Sequence, residues 1–170
     1  MSLTGYDDIN VGNYPQDAQV ALGYVDGNWP TFNQGLRQQC PNAFLVSITT
    51  GTGPADVIDR ENGDADAWTA AHWVKSRKAQ GLIAIGYCSF GVWQEFRDAC
   101  AAINTAPDGY WIADYDHDPN IPQEWIDLGC VGKQYESNDR FDISTILDSW
   151  PGLVTPGTVY NPSDWLLWAA

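Results

Sequence analysis

The sequence predicts an α/β fold: a compact, irregular, TIM-barrel-like β/α barrel with reduced helices. Three observations lead there. Short apolar runs alternate with helical stretches along the chain, and strand–helix–strand repetition implies a parallel sheet. Eight such runs are present, the number that closes a barrel. The chain has 170 residues, below the roughly 200 at which ordinary (β/α)8 barrels begin, so several helices must have shrunk to loops. A five-stranded flavodoxin-like sheet is the alternative that suits this length.

The expected strands cover residues 4–9, 20–25, 43–49, 55–61, 82–88, 109–115, 129–135 and 141–144. Helices are expected over 31–39, 66–80, 92–103 and, briefly, 123–128. The second of these has the clearest signals. Asp64 or Asp66 can cap its start, Lys75, Arg77 and Lys78 lie near its end where the helix dipole favours cations, and Gly81 terminates it. Segments 10–17 and 51–54 read as loops. Residues 1–150 form one domain in this reading. Residues 151–170 change character, being rich in Pro, Gly and Trp without Lys or Arg. That tail either packs on the domain or docks on a partner, such as a larger phage or envelope assembly.

Composition narrows the function. Eight Lys plus Arg stand against 22 Asp plus Glu, a net charge of −14. Nucleic-acid binding needs clustered cations, so it is not expected, and an anionic membrane surface is disfavoured for the same reason. No apolar run approaches the roughly 18 residues of a membrane span. The first ten residues lack the basic start and apolar run of a secretory signal. The protein is therefore expected to act where it is made, to leave by another route, or to travel on a particle such as a virion. His72 and His117 are the only histidines, which argues against an imidazole-rich metal site; no metal or other cofactor is expected. Cys40, Cys88, Cys100 and Cys130 form no CxxC pair. They read as buried thiols, with one disulfide as the alternative. What is plentiful, carboxylates and aromatic rings, suits a neutral substrate with ring-like faces.

The acids that depart from a solvated surface lie inside or at the ends of apolar strands: Asp7 and Asp8, Asp26, Asp59 and Glu61, Asp114 and Asp116, and Asp142. In parallel α/β folds ligands gather at the carboxyl ends of strands. Strand side chains alternate with period two. Asp59 and Glu61 therefore share a side, preceded there by Ala55 and Val57, while Arg60 points the other way. Two carboxylates so placed raise one pKa and leave the other partner ionised. Glycosidic bond cleavage uses that pairing. Trp29, Tyr87, Trp111, Tyr115 and Tyr135 also fall near strand ends, where ring faces can stack on sugars.

An ordered set of short motifs resembles glycoside hydrolase family 25, the muramidase-type lysozymes of bacteria and phages. Val57-Ile58-Asp59-Arg60-Glu61 is similar to that family's D-x-E strand. Ala84-Ile85-Gly86-Tyr87-Cys88-Ser89, Trp111-Ile112-Ala113-Asp114-Tyr115, Lys133-Gln134-Tyr135 and Phe141-Asp142-Ile143-Ser144 follow in the family's order, and Tyr6-Asp7-Asp8-Ile9-Asn10 resembles its first strand. Gly23-Tyr24-Val25-Asp26 with Trp29-Pro30-Thr31, and Pro41 with Ala43 and Ser47-Ile48, are closer to a compact branch of such domains in actinobacteria and their phages. The likeness spans roughly residues 5–147.

The resemblance implies an irregular β/α barrel that hydrolyses the β-1,4 bond between N-acetylmuramic acid and N-acetylglucosamine in peptidoglycan. It makes Glu61 the catalytic acid, Asp59 the carboxylate beside it, Asp142 the acid of the last strand and Asp7 or Asp8 that of the first. Asp7 is favoured because Tyr6-Asp7 follows Gly5 as in the motif. Substrate contacts are expected from Asp8, Asp26, Trp29, Tyr87, Trp111, Asp114, Tyr115, Gln134 and Tyr135. Two other classes of function fit the same sequence: an inactive barrel that binds wall glycans, and a metal-dependent enzyme that uses the surplus acids.

Overall fold

The structure is a computed structural model and describes residues 2–153. The expectations for residues 154–170 lie outside the described residues. Eight strands close a barrel in sequence order: β1 (Ser2–Asp7), β2 (Val20–Tyr24), β3 (Phe44–Thr49), β4 (Val57–Arg60), β5 (Ile85–Ser89), β6 (Gly109–Ala113), β7 (Cys130–Ser137) and β8 (Asp142–Leu147). The helices are α1 (Leu36–Gln39), α2 (Ala67–Ala79), α3 (Phe90–Ala102) and α4 (Gln123–Asp127). Only α2 and α3 are more than a turn or so long. Closure removes the five-stranded alternative.

Strands β1 to β7 run parallel, but β8 is antiparallel to both β7 and β1. This departs from the all-parallel expectation, and the reason is chain length. A parallel return must run back the length of a strand; residues 50–56 can do so beside the short β4, but residues 138–141, at roughly 3.3–3.6 Å each, cannot run back along the eight-residue β7. Asn138 closes that turn, its side-chain oxygen accepting from the backbone N–H of Arg140 and Phe141 at 2.9 and 3.2 Å. Reversal has a functional consequence. Asp142 begins its strand instead of ending it, yet still arrives at the face where the parallel strands end.

The helix expected over 31–39 is split. Gly35 takes φ +106°, a left-handed conformation that glycine adopts without steric cost, and separates a 3-10 turn (Thr31–Gln34) from α1. Asp66 is the cap of α2, accepting from Thr69 N–H at 2.7 Å.

Alternation sorts the side chains into two layers. Leu22, Val46, Ile48, Val57, Ile85, Trp111 and Ile146 fill the barrel. Ile58, Cys88 and Ile112 face outward against α2 and α3 through Ala70, Val74, Phe96 and Cys100. Ala55 also joins this outer layer, because β4 begins only at Val57; it does not precede Asp59 on the inner side. All four cysteines are buried free thiols. No helix among the described residues is long and apolar enough to cross a membrane.

Gly86 explains how α3 lies so close to the sheet. A Cβ there would overlap the Phe96 ring at Cε1, so a side chain must push the helix away. Gly86→Ala is expected to cost about 1–3 kcal/mol, the usual range for overpacking. A urea midpoint equal to that of the parent would show that α3 moves out at no cost.

Candidate active site at the barrel mouth

The carboxyl ends of β1, β2, β4, β5 and β6, the inward residues of β7 and the start of β8 meet at one opening. Asp7 is the last residue of β1, pairs in register with Asp142 and is 5% exposed. Its Oδ1 accepts from Gln134 Nε2 at 2.9 Å. The same nitrogen lies 3.3 Å from Asp142 Oδ2. Gln134 Oε1 accepts from the hydroxyls of Tyr87 at 2.6 Å and Tyr115 at 2.7 Å. Beneath them Trp111 donates from Nε1 to Ser144 Oγ at 3.0 Å, with its ring 4.3 Å from that of Tyr87.

Across the opening Asp59 is 2% exposed. Its Oδ2 accepts from the Tyr24 hydroxyl at 3.2 Å, while Oδ1 is buried without a hydrogen-bond partner. Glu61, one residue beyond β4, is half-buried. The alternation rule holds for the pair: Val57 and Asp59 face in, and Arg60 faces out to Glu95 at 2.6 Å.

These carboxyls favour their protonated forms, because burial penalises the charged form and neighbouring acids add to the penalty. Burial, then Glu61 and Asp64, push Asp59 up to about 8 against the opposing Tyr24 hydrogen bond. Burial, then Asp142, hold Asp7 well above the carboxylate range, with the Gln134 hydrogen bond opposing. Glu61 is raised by burial, then by Asp64 and Asp142, with Arg60 opposing. Asp142 is raised chiefly by burial. The most strongly neutral member of the Asp59–Glu61 pair is thus Asp59, the more deeply buried one.

Several expected contacts fall elsewhere. Asp8 lies outside the barrel, its Oδ1 accepting from Asn10 N and Asn13 Nδ2. Asp26 is occupied as a tie between loops, accepting from Thr49 Oγ1 at 2.5 Å and from Thr50 N at 2.9 Å. Trp29 is 55% exposed in the loop after β2, outside the hydrogen-bonded network. Asp114 follows Ala113, which faces in, and so shares the outward side of Ile112. Asp116 is taken by Lys133 at 2.7 Å. That lysine faces outward and also donates to the Asp118 carbonyl at 3.0 Å, fixing the loop after β6. Tyr135 is the extra residue of a bulge between Gln134 and Glu136, near Tyr6 and Glu136 instead of the mouth. Trp111 is brought to the site but is 1% exposed; it forms the floor and offers no open face for stacking. Tyr115, 48% exposed, is the ring that stands open at the rim.

Two members of the site escaped the sequence reading, Tyr24 as an acid's partner and Ser144 beneath Trp111. Tyr24 carries a usable signal: it is an inward position, two residues after Leu22 on β2. Among the described residues no group of three or more His, Cys, Asp or Glu is arranged to hold a metal ion. No family model, curated protein or solved structure matches the chain.

Proposed function

We propose that the chain is a glycoside hydrolase of the muramidase type, related to family 25 and acting on the β-1,4 bond between N-acetylmuramic acid and N-acetylglucosamine. The observation that carries this reading is the convergence of Asp7, Asp59, Glu61 and Asp142 at one mouth, the first and second buried and the other two half-buried. The ordered motifs support it independently.

Glu61 is the proton donor. It is accessible enough to meet a glycosidic oxygen, and its environment favours the protonated form. As the bond to the leaving sugar breaks, that oxygen takes the Glu61 proton. The substrate's own N-acetyl oxygen attacks the sugar carbon and water then opens that adduct, its proton returning to the now ionised Glu61; where water attacks directly, its proton passes to a carboxylate of the Asp7–Asp142 pair. Asp59 helps to orient the N-acetyl group through its field at the mouth, since its Oδ1 is buried out of the substrate's reach. Asp142 and Asp7 stabilise the positive charge that develops on the ring. Tyr115 is the rim ring against which a sugar face rests.

Incubating the protein with purified actinobacterial peptidoglycan and reading the soluble products by mass spectrometry tests the reading. Muropeptides ending in reducing N-acetylmuramic acid are expected. Sedimentation of the protein with intact wall, with no soluble product, would instead make it a wall-binding barrel, carried on a phage or envelope assembly.

A further inference from the structure

The resemblance would make Gln134 a contact for substrate, but its geometry leaves nothing for a substrate to bind. A primary amide has two acceptor positions on oxygen and two N–H donors on nitrogen. Here the oxygen takes two phenol hydroxyls and the nitrogen faces two carboxyls. All four capacities are used, and the side chain is 1% exposed. The orientation is also fixed. Turning the amide over would aim its oxygen at Asp7 and Asp142, and with a single proton shared by the pair at least one ionised carboxylate would face that acceptor.

We propose that Gln134 is a positioning residue: locked by Tyr87 and Tyr115, its amide clamps Asp7 and Asp142 into a dyad that holds one proton between them. The clamp serves the hydrolysis proposed above, since it fixes the acids of the first and last strands on one side of the mouth. The two carboxyls are register partners across the β1–β8 seam and share one nitrogen. Both cannot readily carry charge at that spacing. Among the described residues, the groups that face them bring no compensating cation. On Asp7 act Asp142, Asp59 and Asp8, with Tyr14, Tyr24 and Tyr87 in its field. On Asp142 act Asp8, Ser137 and Tyr115, with Glu61 nearby. Burial of Asp7 adds to the preference for a retained proton. Gln134 is thus, among the described residues, the neutral donor that reaches both acids, and its tyrosine anchors decide where it points.

The test is a titration of the carboxyl carbons of Asp7 and Asp142 by NMR in the free protein, with no substrate present. In the parent each residue should trace two steps, with the same two apparent pKa values, the signature of a coupled pair. Gln134→Met keeps the bulk and removes the donors, so both steps should move up by about one pH unit. The pH profile of wall hydrolysis should move with them. Tyr115→Phe removes one anchor and also the 3.5 Å contact of that hydroxyl with Asp142, so the Asp7 curve, which Tyr115 does not touch by a hydrogen bond, reads the clamp: it should shift up by a smaller amount, and it decides the question if Gln134→Met does not fold. Independent single steps for Asp7 and Asp142 in the parent, or curves in the folded variants that superimpose on the parent, would overturn the proposal. Coupled titration in a protein that releases no muropeptides would leave the dyad standing and overturn the hydrolase reading alone.

Discussion

Glu61→Gln is expected to lower the rate of peptidoglycan hydrolysis by a factor on the order of 10² to 10⁴, the usual contribution of a positioned general acid. The amide is nearly the same size and lacks the proton to give. The fold should tolerate it: Glu61 is half-buried just beyond β4, so thermal stability should stay close to that of the parent. The loss belongs in kcat, because the proton is transferred only as the bond breaks. The pH profile gives a second check. Burial, Asp64 and Asp142 raise the Glu61 pKa, so parent activity should persist above the ordinary glutamate range and fall on the alkaline side as Glu61 ionises. Digestion by Glu61→Gln at the parent rate would move the donor role to another acid of the mouth. Asp59 would then be the next choice, since it keeps its proton to about 8.

The barrel was legible in the sequence because its signals are local. Each strand is an apolar run, and Gly81, Asp66 and the basic end of α2 mark a helix without reference to anything distant. Period two alone correctly separated Asp59 and Glu61 from Arg60. The same rule, applied from Ala113, would have set Asp114 on the outer side; placing it at the mouth used strand-end position without the alternation. What was not legible depends on contacts far apart in the chain. Gln134 meets Asp7 across 127 positions, and no local pattern marks that pairing. Asp26 resembles a site acid until Thr49 and Thr50 are seen to occupy it. Trp111 lies at a strand end as expected, but whether a ring there is floor or platform depends on what closes over it. Asp142 was assigned to the right face for the wrong reason: the short turn over 138–141 already forbade a parallel β8.

Folding stability is expected to fall as pH rises from about 5 to about 9, and Asp59→Asn is expected to remove a large part of that fall. Asp59 has its pKa at about 8 in the folded protein and near the ordinary carboxylate value of about 4 when unfolded. Between those values the folded state keeps a proton that the unfolded state has released. The stabilising effect of that retained proton is fully present below about pH 4 and is lost progressively as pH rises through 8. Its size for a carboxyl this deeply buried is on the order of a few kcal/mol. Asparagine carries no charge at any pH, keeps an acceptor for the Tyr24 hydroxyl and offers N–H donors to the mouth. The variant should therefore equal or exceed the parent at about pH 9 and lose its advantage at about pH 5, read as urea midpoints at the two pH values. A residual slope should remain, because Asp7 is also raised well above its ordinary value and the net charge of −14 destabilises the compact state as further acids ionise. Comparing parent with variant cancels that shared background. Identical slopes for the two proteins would mean that Asp59 is already ionised in the folded state at neutral pH. The pairing then reverses, with Asp59 the charged partner and Glu61 alone holding the proton.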